Sequence, residues 1–151
     1  MRTTVIASLL LSLAGIARAD TISGNYDVKY EEVSTNCGDH KLTYGNGKLK
    51  VEVKGKQLLV DIDRTPPMYG TPAANGKISA KSRIGDTMLG GMKGIFSVAG
   101  HITPEGQLSL MMIGEFSADG KPLCTQSWNV SGPKAGTTPA KPTTPAPPPK
   151  K

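Results

Sequence analysis

Two cysteines and two histidines are the side chains in this sequence best suited to nucleophilic or metal chemistry. Cys37 and Cys124 are the only cysteines, and His40 lies three residues after Cys37. A free Cys37 with His40 as its base would be a candidate nucleophile. An even pair of cysteines in an exported chain is instead typical of a disulfide bond. We therefore expect a Cys37–Cys124 disulfide, with the free thiols as the alternative.

One pair of aspartates also has a spacing that chemistry could use. Asp61 and Asp63 stand two positions apart, which places both carboxylates on one face of a strand. A calcium site would need several more oxygen ligands at loop spacing, so we interpret the pair as a solvated outer face. The chain holds no G-x-S-x-G motif, no C-x-x-C pair and no phosphate loop ending in Gly-Lys-Ser/Thr. The sequence thus predicts no catalytic residue, no metal and no cofactor, and a protein that is not an enzyme.

The elements that position these residues are expected to be strands. Apolar and polar residues alternate with period two in several segments separated by turn residues. These segments are TISGNYDVKYE, KLKVEVKGKQLLVDIDR, KISAKSRI, IFSVAGHIT, QLSLMMIGEF and LCTQSWNVS. We expect an all-β domain of seven or eight antiparallel strands, a meander that closes as an up-and-down barrel. A β-sandwich is the alternative.

Three prolines and two glycines interrupt the alternation between residues 65 and 76, where no strand is expected. Elsewhere small residues, including Gly24, Gly100 and Gly114, fall at inward positions of the predicted strands. Such residues either let a sheet curl or leave room for a ligand, and the sequence leaves both interpretations open. In a closed barrel the first and last strands are neighbours, so we expect Tyr26 and Trp128 to seal the core.

The two ends of the chain differ in composition from the segment between them. We interpret residues 1–19 as a signal peptide, because Arg2 precedes a short apolar run and Ala17-Arg18-Ala19 suits a cleavage site. Residues 132–151 hold seven prolines, four threonines and four lysines, which predicts a disordered tail. One folded domain is left at residues 20–131. We expect a secreted or periplasmic protein with no transmembrane segment in the mature chain.

The formal net charge of +6 is not carried by the predicted domain. Residues 20–131 hold twelve basic and twelve acidic residues, and the excess lies in the signal peptide and the tail. A domain that binds nucleic acid concentrates positive charge on its folded surface. We therefore expect no nucleic-acid partner.

The segment GDTMLGGMKG combines glycines with adaptable apolar side chains that could surround a binding site. The opening Ser23-Gly24-Asn25-Tyr26 and the series of hairpins resemble small secreted ligand-binding barrels of the lipocalin kind. We expect a non-enzymatic domain that binds a small apolar ligand or an envelope component through one end of the barrel. The candidate residues at this mouth are Met88, Leu89, Met92, Met68 and Tyr69. The alternative is a structural, surface-associated protein attached through its basic, proline-rich tail.

Overall fold

The structure, a computed structural model, describes residues 19–137. A short helix, α1 (Ala19–Ile22), precedes nine strands, and a 3-10 turn (Gly38–His40) lies between the first two strands. The strands are β1 (Gly24–Thr35), β2 (Asn46–Lys54), β3 (Gln57–Ile62), β4 (Met68–Pro72), β5 (Lys77–Ser82), β6 (Gly85–Asp86), β7 (Met92–Ile102), β8 (Gln107–Ala118) and β9 (Lys121–Pro133). Residues 1–18 of the predicted signal peptide and residues 138–151 of the predicted tail lie outside the described part.

The strands form one antiparallel sheet that closes into a ring, which confirms the predicted barrel. The order is β5-β4-β3-β2-β1-β9-β8-β7-β6, and β5 also pairs with β7 to close the ring. The short β6 pairs with β7 beyond the end of β5, through Gly85 opposite Gly94. Together β5 and β6 occupy one position in the wall, so the ring has eight positions. The alternative of two packed sheets is not what the structure shows.

The prediction that residues 65–76 hold no strand is wrong, because β4 lies within them. Met68 is fully buried and aligns with Val60 of β3 and Ser82 of β5. The prolines at positions 66 and 67 precede the strand, and Pro72 is its last residue. A proline at a strand end removes no ladder hydrogen bond from the interior of that strand. The three prolines therefore set the bounds of β4 instead of preventing it.

The first and last strands pair, as expected for a barrel sealed by Tyr26 and Trp128. Tyr30 of β1 aligns with Val130 of β9, and Glu32 aligns with Trp128. Tyr26 and Trp128 are both buried, and the Tyr26 hydroxyl donates to the carbonyl oxygen of Ile22 at 2.7 Å. The sheet also extends past the predicted boundary at residue 131, since β9 ends at Pro133. The pairing of the last strand therefore includes the first residues of the segment predicted to be a tail.

Beyond β9, the chain is held against the start of the domain. The Lys134 backbone N–H donates to the carbonyl oxygen of Gly106 at 2.8 Å, and the Ala135 N–H donates to that of Asn25 at 2.7 Å. The Lys134 ammonium donates to the carbonyl oxygen of Thr21 at 3.1 Å. The two chain termini of the described part thus lie side by side at one end of the barrel.

The interior of the barrel is filled by side chains. Every inward position of β8 from Leu108 to Phe116 is buried, and the other long strands show the same alternation. Several large side chains expose no surface at all to water: Tyr26, Leu58, Val60, Met68, Phe96, Met112 and Val130. A cavity large enough for a ligand would leave accessible surface on the side chains that line it. The side chains at these positions therefore line no water-accessible space within the barrel.

The small inward residues belong to the curled wall and do not open a pocket. A Cβ atom at Gly100 would overlap the carbonyl oxygen of Ser109 on the neighbouring strand. At Gly114 a Cβ atom would lie 2.6 Å from the ring of Phe116, which covers that position. The sequence left open whether these small residues let the sheet curl or leave room for a ligand. The structure agrees with the first interpretation, because neighbouring strands and side chains occupy the space beside them.

Two side chains of β9 fix the long connection between β1 and β2. Cys124 forms the expected disulfide with Cys37, with the two Cα atoms 5.0 Å apart. Gln126 is 1% exposed and makes a pair of hydrogen bonds with the backbone of Leu42. Its Oε1 accepts from the Leu42 N–H at 3.0 Å, and its Nε2 donates to the Leu42 carbonyl oxygen at 2.8 Å. The connection is therefore tied to the last strand by one covalent bond and one amide, in addition to the hydrogen bonds between Asn36 and Thr125.

Candidate functional site

The two ends of the barrel differ in the length of their connections. At one end, which we call the loop end, the chain makes the long connections 36–45, 63–67 and 83–91. The opposite end, which we call the tail end, has short hairpin turns and the described residues 134–137. Binding residues are found more often on long connections than on tight turns. The loop end is thus the better place to look for a site.

A cleft of about 510 Å³ opens between two connections of the loop end, and we call it the loop cleft. It is a surface groove that does not enter the barrel interior. The residues that line it are Arg64, Thr65, Pro66, Gly85, Asp86, Thr87 and Met88. Gly85 and Pro66 together form part of its floor. They are in such close contact that a Cβ atom added at Gly85 would lie 2.5 Å from the ring of Pro66. This contact joins the two connections that form the cleft, 63–67 and 83–91.

Arg64 has an unusual backbone conformation for its residue type. Its φ is 64°, in the left-handed region, within a tight turn closed by the Thr65 N–H donating to Ile62 at 3.1 Å. Turns of this kind favour glycine or asparagine, and another residue there costs roughly 1 kcal/mol. The guanidinium lies 3.7 Å from the Met88 sulfur and 3.6 Å from the Asp63 carboxylate. The Arg64 side chain is therefore held at the mouth of the cleft, although its backbone conformation destabilises the turn.

The structure brings only part of the predicted mouth together. Met88 is 37% exposed and lines the loop cleft, and Leu89 is half-buried against the core. Tyr69 is 59% exposed on the outer face of β4. Met68 and Met92 are buried core residues, at 0% and 5% exposure. Only Met88 and Tyr69 among these five thus present a large exposed surface to a partner.

Thr87 shapes the loop that presents Met88. Its hydroxyl accepts from the Leu89 N–H at 3.2 Å and donates to the Met92 carbonyl oxygen at 2.9 Å. The Thr87 and Met92 N–H groups donate to the carbonyl oxygens of Met92 and Leu89, respectively. The loop is consequently a hydrogen-bonded turn in which Met88 is directed outward while Leu89 packs inward.

The other candidate chemical groups lie apart from the cleft or are already engaged. Cys37 is in the disulfide, so it offers no thiolate for a nucleophile with His40. His101 lies near the tail end, where its Nε2 is 2.9 Å from the carbonyl oxygen of Asn75. Asp61 and Asp63 are exposed, which agrees with a solvated outer face. Among residues 19–137, no cluster of three or more histidine, cysteine, aspartate or glutamate side chains could hold a metal ion.

A second groove of about 500 Å³ crosses the outer face of β2, β1 and β9 near residues 27–29, 46–48 and 131–133. Its floor is backbone, because Gly47 and Gly132 contribute no side chain. A Cβ atom at Gly132 would overlap the carbonyl oxygen of Asp27. This groove thus marks the close approach of β9 to β1 and presents no exposed large apolar side chain.

Two tyrosines, Tyr44 in the connection 36–45 of the loop end and Tyr26 near the tail end, make the free energy of unfolding depend on pH in the alkaline range. Burial raises the pKa of Tyr44 to about 12, with the Asp63 charge as a second cause, and burial raises that of Tyr26 to about 12. An unfolded tyrosine has a pKa of about 10. Since the neutral forms are favoured by folding, their contribution is complete below pH 10 and is lost as pH rises to about 12. Between pH 10 and about 12 we expect the absorbance of tyrosinate to increase while the near-ultraviolet circular dichroism signal of the folded protein is lost.

Tyr44→Phe tests the assignment, because the buried Tyr44 hydroxyl has no hydrogen-bond partner among the described residues. The variant keeps the ring contacts with Tyr30 and Trp128, whose centroids each lie 5.2 Å from that of Tyr44. It should unfold at higher pH than the wild type. Tyr69→Phe is the matched control on an exposed side chain and should leave the transition in place. An unchanged transition in Tyr44→Phe would contradict the role of this hydroxyl.

Arg64 and Pro66 line the cleft, although the sequence pattern did not predict them as residues of a site. The signal was the segment Asp63-Arg64-Thr65-Pro66-Pro67, in which a charged residue stands at a turn directly before two prolines. In sequence, Arg64 has the appearance of a counter-charge to the neighbouring aspartates. Its proximity to Met88, 24 positions later in the chain, depends on the closure of the barrel.

Within residues 19–137, no helix has the length and apolar composition required to cross a lipid bilayer. No protein-family model matches the chain, and no curated protein is significantly similar to it.

Proposed function

We propose that this protein is exported and that its barrel is a non-enzymatic binding module for a component of the cell envelope. The loop cleft is the contact site. In this proposal residues 1–19 are removed as a signal peptide, and the mature chain begins at Asp20 in the periplasm or outside the cell.

The observation that carries the proposal is the filled interior combined with a cleft on the outer surface. Side chains such as Phe96 and Met112 expose no surface inside the barrel, which argues against a small apolar ligand held there. Met88 in the cleft lining and Tyr69 on β4 are exposed apolar side chains, and Met111, Ile113 and Leu123 are exposed on β8 and β9. Apolar surface beside charged groups is typical of sites that contact another molecule.

The disulfide supports the export part of the proposal. Disulfides persist in oxidising compartments such as the periplasm and the extracellular space, and are rare in the cytosol. The Cys37–Cys124 bond and the sequence of residues 1–19 point independently to the same compartment.

Cosedimentation with the envelope fraction of the producing cells tests the proposal. We expect the chain from Asp20 to Lys151 to sediment with the envelopes and Met88→Glu to remain in the supernatant. Met111→Glu is the matched control, because Met111 is 38% exposed on β8, against 37% for Met88. Equal sedimentation of all three proteins, or of none, would contradict the proposed role of the cleft.

A second candidate function is favoured by the position of the C-terminal segment. Residues 134–137 lie at the tail end, opposite the loop cleft, and the Lys134 ammonium contacts Thr21 there. A filled barrel could serve as a structural module attached to a surface through the basic residues after position 137. In that case a chain ending at Thr137 would lose envelope association while Met88→Glu keeps it.

A further inference from the structure

Six exposed side chains surround the loop cleft or follow it along β4 and β5, and we call this set the basic-apolar face. Its members are Arg64, Tyr69, Lys81, Arg83, Ile84 and Met88. The apolar members Tyr69 and Ile84 are 59% and 60% exposed, which makes them the two most exposed large apolar side chains of the described residues.

Pairing and contacts place these side chains next to one another. Tyr69 of β4 aligns with Lys81 of β5, so both point outward from the same part of the wall. Ile84 directly precedes Gly85, which lies against Pro66 in the floor of the cleft. The Arg64 guanidinium contacts the Met88 sulfur across the same cleft. The face is therefore continuous from the outer wall to the loop end.

The basic-apolar face carries positive charge on a domain whose total charge is zero. Residues 63–69 and 81–88 contain three basic residues and two acidic residues, Asp63 and Asp86. Asp86 is paired with the Lys93 ammonium. Arg83 has no ion-pair partner among the described residues. Arg64 is paired with Asp63 at 3.6 Å and Lys81 with Glu115 at 3.4 Å, and all four of these side chains are largely exposed. Arg83 is therefore available to an anionic surface, and Arg64 and Lys81 can exchange their exposed partners for it, since such pairs contribute little free energy.

We infer that the basic-apolar face docks the barrel on an anionic lipid surface. This inference rests on the proposed function and names lipid headgroups as the envelope component. Ile84 and Met88 reach the boundary between headgroups and acyl chains, and Tyr69 lies at headgroup depth, where tyrosine is enriched in membrane proteins. Arg64 and Arg83 bind the phosphates, each basic residue adding to the attraction. Apolar side chains scattered among cations suit such a surface better than a protein partner, which needs a contiguous apolar centre.

Sedimentation with lipid vesicles tests the inference. The chain from Asp20 to Lys151 is mixed with vesicles of phosphatidylcholine, or of equal parts phosphatidylcholine and phosphatidylglycerol. We expect binding to the anionic vesicles alone, weakened by added salt. Met88→Glu should weaken this binding about tenfold, because it removes an apolar contact and adds a repelled charge. Arg64→Gly should weaken it about fivefold and keep the turn, since glycine favours a positive φ.

Two controls separate docking through this face from a general effect of charge and from binding by the tail. Met111 lies outside the basic-apolar face, and its partners on the neighbouring strands are the uncharged Ala99 and Asn129. Met111→Glu should therefore bind vesicles as the wild type does. A chain ending at Thr137 should keep most of its binding. Each variant is compared with the wild type by near-ultraviolet circular dichroism, which confirms its fold.

Failure of the inference and failure of the proposed function give different results. Equal loss in Met88→Glu and Met111→Glu, or loss only on truncation at Thr137, would overturn docking through the basic-apolar face. Binding to isolated envelopes that depends on Met88, without binding to anionic vesicles, would overturn the lipid assignment and leave the proposed function standing. A protein that binds neither envelopes nor vesicles contradicts both.

Discussion

Replacing Cys37 and Cys124 together by serine is expected to lower the free energy of unfolding by about 4 kcal/mol. The two residues are 87 positions apart, so the bond closes most of the domain into one loop. Loop closure of this length removes roughly 4–5 kcal/mol of conformational entropy from the unfolded chain in the entropic model. Both residues are buried, so the serine hydroxyls add a small desolvation cost. Urea denaturation of the wild type and the double variant measures the difference.

The same experiment includes its own control. Reductant should destabilise the wild type toward the level of the double variant and leave the double variant unchanged. Because Cys37 lies in the connection between β1 and β2, hydrogen exchange should increase most in residues 36–45. A loss below about 1 kcal/mol would show that hydrogen bonds such as those of Gln126 hold this connection without the covalent bond, against the chain-entropy argument.

The barrel could be predicted because its signals are local. Inward residues such as Leu108, Leu110 and Met112 recur at every second position and are buried as expected. The turn Asp119-Gly120 has positive φ at both residues, as a two-residue hairpin of this type requires. The pairing of the last strand with the first followed from closure, which removes exposed edges.

The strand β4 could not be predicted because proline and glycine content outweighed a short pattern of five residues. The strand is stabilised by pairing on both sides, with β3 through Val60–Met68 and with β5 through Met68–Ser82. Such pairing is a tertiary effect that composition does not report. Leu42 is a related case, because its backbone N–H and carbonyl oxygen are bound by the side-chain amide of Gln126 and not by a neighbouring strand.

The candidate site was only partly predictable, for a geometric reason. The sequence indicated Met88 through the glycine-rich loop that carries it, and Met68 and Tyr69 were further candidates at the same mouth. The period-two pattern does not apply in loops, so it could not separate the exposed Met88 from the buried Met92, which begins β7. Arg64 belongs to the site because of its turn conformation and its contact with Met88 in a distant connection. Neither feature can be recognised from the residue composition.

Gln126→Glu is expected to lower the free energy of unfolding by about 3–5 kcal/mol at neutral pH. The Gln126 amide donates to the Leu42 carbonyl oxygen at 2.8 Å and to the Glu32 carboxylate at 2.6 Å. A carboxylate of the same shape would place its charge against both oxygens without a donor for either. Breaking a buried polar network so that a charge is left uncompensated costs about this much. The connection that Gln126 holds would detach from β9, and urea denaturation would show the loss.

The defect should diminish in acid, because a neutral carboxyl can again donate to the Leu42 carbonyl oxygen. The introduced group has its folded-state pKa raised above the unfolded value of about 4.3 by burial and by the Glu32 charge. Its neutral form is thus favoured by folding, so the relative stability of the variant is highest below about pH 4 and falls as pH rises. Gln107→Glu makes the same change on an exposed residue of β8 and should leave stability almost unaltered. A Gln126→Glu variant as stable as Gln107→Glu at neutral pH would show that the amide does not hold the connection, which would then rest on the disulfide and on the hydrogen bonds between Asn36 and Thr125.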